Sequence, residues 1–161
     1  MIRRLLTAIL AIFSISSCAI VKESNVTLSN PGSSSNELRN SIVDLSREYL
    51  GTPYKYGGVT QSGMDCSGLV FTVFQDHNIT LPRTSEQQSK SGKLIDLNSA
   101  VPGDLIFFRK NGRVFHVGIV SKIERDRMWM IHGSSSKGVI ESEILNNSYW
   151  KPKYYQTRAV I

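Results

Sequence analysis

The chain of 161 residues is long enough for one domain, and its content of 40% hydrophobic and 20% charged residues excludes a wholly disordered protein. Its formal net charge of +6 suits an anionic neighbourhood such as lipid headgroups or an acidic polymer, although an ordinary solvated basic surface explains it equally well. The sequence has no stripe of alternating aromatic and basic residues, so no nucleic-acid partner is predicted.

The N-terminus has the pattern of a bacterial export signal. Arg3 and Arg4 precede an apolar run over residues 5–15 that is too short to span a bilayer as a stable helix. Two small residues then lead into Cys18, and this arrangement resembles the lipobox of bacterial lipoproteins, where the Cys is diacylated and becomes the mature N-terminus. We therefore expect a signal peptide over residues 1–17 and a membrane anchor through lipid on Cys18. A plain signal peptide with an incidental Cys is the alternative.

Polar residues rich in Ser and Asn follow over residues 18–37 and predict a flexible tether. A single domain is expected over residues 38–161. Its first helix is indicated by apolar residues at helical spacing over residues 38–49, and Gly51 ends the pattern.

The second predicted helix begins with the sequence Asp65-Cys66-Ser67-Gly68 and continues as an apolar run to Phe74. Because the run is apolar almost all round, we expect a buried helix with Asp65 as its N-cap. Cys66 then lies where unpaired N–H groups and the helix dipole stabilise a thiolate. A short capped helix over residues 84–88, ended by a glycine, comes next.

The second half of the chain changes to short runs rich in β-forming residues, which are separated by turn residues. These runs are 105–108, 116–120, 128–131, 139–144 and 157–161. The dipeptide Asn111-Gly112 predicts a tight hairpin turn between the first two runs. Helices first and strands second predict an α+β fold with an antiparallel sheet.

The two cysteines and two of the histidines suggest chemistry. If Cys18 carries lipid, Cys66 has no disulfide partner, and a single thiol in an oxidising compartment is either reactive or buried. A nucleophilic thiol needs a base, and His116 and His132 lie on consecutive predicted strands. If a hairpin around residues 125–127 pairs those strands, both histidines lie near the sheet end that faces the Cys66 helix. His116 would then be the base in an ion pair that holds the thiol pKa well below about 8.5, and His132 would orient it.

Structural roles explain the same residues separately. Cys66 is equally a candidate core thiol, His116 a polar residue at a strand edge and His132 a turn cap. A Cys with two His also supplies zinc-ligand types, but the spacing matches no common zinc pattern, so no metal or other cofactor is predicted. His77, near the end of the second helix where a cation is favoured, is assigned no function.

Five segments in fixed order carry a family resemblance: GTPYKYGG at 51–58, DCSGLV at 65–70, LPRTSEQQ at 81–88, VPGDLIFF at 101–108 and HVGI at 116–119. Together they resemble the NlpC family of papain-like cell-wall cysteine peptidases, from about Leu38 to the C-terminus. The resemblance implies a papain-like fold in which N-terminal helices carrying the Cys pack on an antiparallel sheet carrying the His residues. A short lipoprotein leader without a wall-binding repeat is most similar to the murein endopeptidase lipoproteins of that family.

The resemblance also implies roles for individual residues. Cys66 matches the nucleophile, His116 the base and His132 the third polar member. Tyr54 matches a tyrosine whose hydroxyl helps form the oxyanion site, and the backbone N–H of Cys66 or Ser67 would be the other donor.

Three further residues, Asp65, Arg83 and Ser85, match positions near the substrate peptide. Helix capping alone explains Asp65, and helix initiation alone explains Ser85. Asp104 is expected to belong to a turn.

The activity that the resemblance implies is hydrolysis of peptidoglycan stem peptides by a Cys-His-His thiol mechanism, at the crosslink between D-Ala and diaminopimelate. The alternatives are cleavage between D-Glu and diaminopimelate, amidase or acyltransferase chemistry on the same fold, and a non-catalytic wall-binding lipoprotein. Ala19 lacks the acidic character of an inner-membrane retention signal, so we expect a lipid-anchored protein on the periplasmic face of the outer membrane. The sequence identifies no regulatory partner.

Overall fold

The computed structural model of the protein describes residues 31–161. The predicted signal peptide, the lipid on Cys18 and the first part of the tether lie outside the described residues. Within residues 31–161, no helix is both long enough and apolar enough to cross a membrane.

The first helix, α1 (Pro31–Glu48), begins seven residues before the predicted domain start at residue 38. Proline is favoured at the first helical position because the N–H that it lacks would have no acceptor there. In the next turn the Ser33 hydroxyl donates to Glu37 at 2.8 Å. Packing against the core begins at Leu38, which is the residue that starts the apolar pattern in the sequence.

The second and third helices confirm the capping predictions. Helix α2 (Cys66–Asp76) has Asp65 as its N-cap, whose side chain accepts from the Gly68 N–H at 2.6 Å. Its apolar run is buried at residues 69, 70, 73 and 74. Helix α3 (Ser85–Gln88) is capped by Thr84. His77 lies at the C-terminal end of α2, where its ring nitrogens contact the Val73 carbonyl and the Ser41 hydroxyl, which agrees with its structural assignment.

Strands make up most of the remaining chain: β1 (Val59–Thr60), β2 (Gly63–Met64), β3 (Lys93–Ile95), β4 (Leu105–Lys110), β5 (Arg113–Glu124), β6 (Arg127–Ser134), β7 (Gly138–Glu143) and β8 (Tyr154–Ala159). Strands β1 and β2 form a small hairpin, and the others form one six-stranded sheet in the order β3-β8-β4-β5-β6-β7. Every pairing in that sheet is antiparallel. The predicted α+β class is confirmed.

Two hairpins place the histidines. Asn111 and Gly112 both have positive φ, at 51° and 79°, as the predicted tight turn between β4 and β5 requires. Arg125, with φ 54°, lies in the turn between β5 and β6. The strands are longer than predicted, so His116 and His132 lie inside β5 and β6 rather than at their ends.

The sheet is covered on both faces. Helices α1 and α2 pack on one face, where the buried residues include Ile42, Leu69, Val73, Phe74, Leu105, Phe107, Val117, Ile119 and Ile131. The chain after β7 folds over the other face, where the buried residues include Ile106, Phe108, Val120, Met130, Ile144 and Trp150. Successive side chains of β4 and β5 point to opposite faces of the sheet. Because both faces are covered, consecutive residues of these strands are apolar.

A buried ion pair between Arg39 and Asp104 joins α1 to the turn before β4. Asp104, which is fully buried, accepts from Arg39 at 2.7 Å and from the Val101 N–H at 2.9 Å. Arg39 also donates to the carbonyl of the C-terminal residue, Ile161, at 2.8 Å. Asp104 therefore belongs to a turn, as predicted, and in addition joins three segments that are distant in sequence.

Candidate active site

The N-terminus of α2 rests directly on strand β6, and this contact places Cys66. A Cβ atom added to Gly133 would lie 2.9 Å from the Cys66 backbone nitrogen and 2.8 Å from the Asp65 carbonyl carbon. Such distances are too short for any residue with a side chain, so glycine at this position allows the Cys66 backbone to touch the sheet.

His116 and His132 form a hydrogen-bonded pair. The β5–β6 register sets Ile119 opposite Ile131, which makes the two histidines diagonal neighbours on one face of the sheet. The distance from His116 Nε2 to His132 Nδ1 is 2.8 Å, and His132 Nε2 lies 3.0 Å from the Ser142 hydroxyl oxygen. Because Nε2 of His116 contacts His132, Nδ1 is the remaining ring nitrogen of His116.

Trp150 covers this pair. Its ring stacks on His116 with centroids 4.8 Å apart and an interplanar angle of 27°, and it meets His132 edge-on at 5.1 Å. Trp150 is itself 9% exposed. The imidazoles are therefore held between the sheet and an aromatic ring, which fixes their orientation and excludes water.

Cys66 and both histidines open onto one cavity of about 560 Å³. Its lining comprises Tyr54, Cys66, Phe115, His116, His132, Gly133, Ser134, Ser135, Ser136, Lys137, Ile140, Ser142, Asn147, Tyr149 and Trp150. Of the residues predicted for the site, Tyr54, Cys66, His116 and His132 are thus brought together. The turn before β7 contributes polar lining residues, which include Lys137.

Burial controls the ionisation of the site. It raises the pKa of the Cys66 thiol above its ordinary value of 9.0, the Asp65 carboxylate acts in the same direction, and the hydrogen bond from the Val117 N–H does not offset them. Burial lowers the pKa of His116 well below 6.5, with His132 as the second cause, and lowers the pKa of His132 to about 4. Both directions oppose the low thiol pKa that is expected of a thiolate–imidazolium pair.

Asp65, Ser67 and Arg83 form a hydrogen-bonded cluster next to Cys66 and do not line the cavity. Arg83 donates to both carboxylate oxygens of Asp65, at 2.9 and 3.0 Å, and to the Ser67 hydroxyl at 3.0 Å. Burial alone would raise the pKa of Asp65, but hydrogen bonds from Arg83 and from the N–H groups of Gly68 and Gly57 lower it below its usual value. Ser85 lies at the start of α3, away from the cavity.

The residues that the structure describes contain no group of three or more Cys, His, Asp or Glu side chains that could hold a metal ion. Cys66, His116 and His132 instead line one cavity, and hydrogen bonds join His116 to His132 and His132 to the Ser142 hydroxyl. A thiol that shares a cavity with an imidazole held by a polar partner provides the groups that nucleophilic thiol chemistry requires.

Comparison with known protein families decides the assignment, because the profile of the NlpC/P60 family matches residues 51–159. The chain belongs to the NlpC/P60 family. The family resemblance seen in the sequence is confirmed.

Curated NlpC/P60 relatives are endopeptidases and hydrolases by name. The probable endopeptidase NlpC of Escherichia coli strain K12 is 41% identical over 124 residues, 74% of this chain and 76% of that protein. The murein DD-endopeptidase MepS/murein LD-carboxypeptidase of the same strain is 34% identical over 126 residues, 78% of this chain and 64% of that protein. The gamma-DL-glutamyl hydrolase of Bacillus subtilis strain 168 is 37% identical over 74% of this chain, but this region is only 29% of that protein.

A solved structure supports the fold directly. The crystal structure of an NlpC/P60 family protein from Bacillus cereus superposes with a TM-score of 0.69 at 32% identity, over 76% of this chain and 40% of that one.

Three residues of the NlpC/P60 site were not found from the sequence. The sequence pattern indicates only a turn at Gly133, and it gives no local signal for Ser142 or Trp150. Ser142 faces His132 because the β6–β7 register sets His132 opposite Ile140, and Trp150 reaches His116 because the chain after β7 folds back. Only the sheet register and that fold-back bring these residues to the site.

The buried histidines are expected to make the protein less stable in mild acid. The unfolded chain binds a proton at His132 below pH 6.5, whereas the folded chain does so only near pH 4, so stability is complete above 6.5 and is lost as the pH falls. Between pH ~7.5 and pH ~5 this one group removes about 2 kcal/mol of unfolding free energy. Urea unfolding at the two pH values measures this loss of unfolding free energy. His132→Asn is expected to reduce the difference in unfolding free energy between the two pH values by a similar amount. An equal difference in wild type and His132→Asn contradicts this origin.

Proposed function

We propose that the protein is a cysteine peptidase that hydrolyses peptide bonds in the stem peptides of peptidoglycan. The observation that carries the proposal is the placement of Cys66 and the hydrogen-bonded His116–His132 pair on one cavity. The names of the E. coli relatives NlpC and MepS support endopeptidase activity, and MepS supports murein as the substrate.

In the proposed mechanism the thiol and the base react as a neutral pair. His116 Nδ1 accepts the thiol proton as Cys66 Sγ attacks the peptide carbonyl carbon. The C–N bond then breaks, the protonated His116 gives its proton to the leaving amine, and a thioester remains on Cys66. Water, deprotonated by His116, attacks the thioester and releases the acid and the free thiol. His132 keeps the imidazole in one tautomer and orientation throughout.

The negative oxygen of the tetrahedral intermediate needs donors near Cys66. The first N–H groups of α2 have no intrahelical acceptor, and Cys66 and Ser67 are the first two residues of that helix, so their N–H groups can supply such donors. Tyr54 lines the same cavity, and burial raises the pKa of Tyr54, with the charge of Cys66 as the second cause. Its hydroxyl therefore stays protonated at neutral pH and can donate.

The bond that we propose is the crosslink between D-Ala of one stem and diaminopimelate of the next. Support comes from the MepS relative, whose name states DD-endopeptidase activity and of which this chain spans 64%. The second candidate is the bond between D-Glu and diaminopimelate, which the 37% identical gamma-DL-glutamyl hydrolase favours.

Digestion of purified sacculi distinguishes the two bonds. If the crosslink is cut, mass spectrometry of the muropeptides shows crosslinked dimers converted to intact monomers. Persisting dimers together with accumulating dipeptide stems contradict the crosslink assignment and leave the cysteine-peptidase assignment in place. Intact substrate under all conditions, with a folded protein, contradicts both.

We further propose that lipid on Cys18 anchors the protein in the cell envelope, on the periplasmic face of the outer membrane. The support is the sequence alone: a basic start, a short apolar run and a Cys after two small residues. Cys18→Ser is expected to give an unprocessed or soluble form that incorporates no labelled palmitate. A Cys18→Ser protein that is still processed, acylated and found with membranes contradicts the anchor.

A further inference from the structure

One end of the sheet carries five basic side chains, which we call the basic rim: Arg109, Lys110, Arg113, Lys151 and Lys153. The first three form the tip of the β4–β5 hairpin, where Lys110 pairs with Arg113. The other two lie in the short 3-10 helix at Lys151–Lys153, directly before β8. These segments adjoin because β4 pairs with β8, with Phe108 opposite Tyr154.

The basic rim is exposed and not neutralised. Four of its five side chains are exposed, and Lys153 is half-buried. Within residues 31–161, none of the five forms an ion pair with a carboxylate, whereas Arg39, Arg83 and Lys122 do. The Glu86 carboxylate, which accepts from the Val114 N–H beside Arg113, offsets only part of this charge. The remaining excess of like charge raises the local potential and attracts an anionic partner.

Exposed aromatic rings connect the basic rim to the active-site cavity. The Arg109 guanidinium lies over the Tyr155 ring at 4.4 Å, and the Lys153 ammonium lies over the Tyr149 ring at 3.6 Å. Tyr149 also lines the cavity and is 54% exposed. Arg113 lies two residues before Phe115, which also lines the cavity. Two residues of a strand span about 7 Å, which is also the length of two residues of an extended substrate peptide.

We propose that the basic rim binds carboxylates of polymeric peptidoglycan beyond the bond that is cut. This inference rests on the proposed function, since stem peptides carry free carboxylates on D-Glu, on diaminopimelate and at their ends. A substrate strand that leaves the cavity past Tyr149 meets the rim within two or three residues. An anionic bilayer offers the same charge, but a membrane seated on Tyr149 and the rim would close the cavity mouth. The rim therefore fits the substrate polymer.

The test compares two triple variants that remove the same charge from opposite ends of β5. The rim variant is R109Q/K110Q/R113Q, and the matched control is K122Q/R125Q/R127Q at the β5–β6 hairpin. Both are made with Cys66→Ala for binding to sacculi by co-sedimentation and with Cys66 intact for hydrolysis. Thermal melts establish that both variants are folded.

We expect the rim variant to bind sacculi about tenfold more weakly at low salt and to digest them about tenfold more slowly. It should cleave the smallest soluble crosslinked peptide that wild type accepts within twofold of the wild-type rate. Wild type should lose its binding to sacculi whose carboxylates have been amidated. The control triple variant should remain within twofold of wild type on sacculi.

Unchanged binding of the rim variant overturns the proposal, as does an equal loss in the control variant. If the rim variant loses binding to phosphatidylglycerol vesicles while keeping its binding to sacculi, the rim is a membrane contact instead. Because binding is measured with Cys66→Ala, it does not depend on catalysis. Failure of wild type to cleave any wall substrate contradicts the proposed function separately.

Discussion

Replacing Cys66 with Ala is expected to abolish hydrolysis of sacculi, with a loss of at least ~10⁴-fold in kcat, because the proposed thioester forms on Cys66 and the described residues contain no second thiol. His116→Ala should lose a comparable factor, since the neutral thiol that burial favours cannot attack without a base. Release of muropeptides, followed by chromatography, measures both. Cys66→Ala should melt within a few degrees of wild type because it removes only the sulfur atom. His116 is buried under Trp150 and hydrogen-bonded to His132, so His116→Ala is expected to melt lower, and thermal melts establish that it is folded at the assay temperature.

A control for these variants is Ser99→Ala, an exposed residue in a 3-10 helix outside the cavity. It should digest sacculi at the wild-type rate. Retention of more than about a tenth of the activity by Cys66→Ala, in a protein that melts normally, contradicts a thiol nucleophile.

Gly133→Ala is expected to have the second largest effect. The added methyl group would meet backbone atoms of Asp65 and Cys66 at 2.8 and 2.9 Å, and backbone atoms cannot move aside as a flexible side chain can. The N-terminus of α2 must then lift from β6, which costs about 1–3 kcal/mol of stability. A displacement near 1 Å of the nucleophile lowers kcat about 100-fold.

The matched control is Gly118→Ala on the neighbouring strand. There the three atoms nearest to the added methyl group all belong to the Met130 side chain, with its sulfur at 2.6 Å, and an unbranched thioether can repack. Its kcat should stay within about threefold of wild type. Thermal melts and initial rates on sacculi compare the two variants. Equal losses of activity in both would show that close contact between α2 and β6 is not what places the thiol.

Local sequence patterns predicted the parts of this fold that depend on neighbouring residues. Asp65 caps α2 because a carboxylate before an apolar helical run has free N–H groups to accept from. Asn111-Gly112 forms a tight turn because both residues tolerate positive φ. The pairing of His116 with His132 was a hypothesis about a hairpin, and the register of β5 and β6 brings them together.

Features that depend on distant contacts were missed or were wrong. The thiol pKa was expected to fall because of the helix N-terminus, but burial of Cys66 outweighs those N–H groups and the charge of Asp65 adds to it. Trp150 covers His116 only because the chain after β7 folds back. The basic rim joins Arg109 and Lys153, which are 44 residues apart, so no window of sequence displays it.

The most direct test of the central claim is the mass of the peptide that contains Cys66 during turnover. The purified protein is mixed with sacculi, quenched in acid within one turnover and digested for mass spectrometry. A thioester intermediate predicts that this peptide gains the acyl part of a stem peptide in wild type, and that Cys66→Ala gains nothing and releases no product. Products that accumulate while Cys66 stays unmodified, and that appear equally with Cys66→Ala, contradict the mechanism.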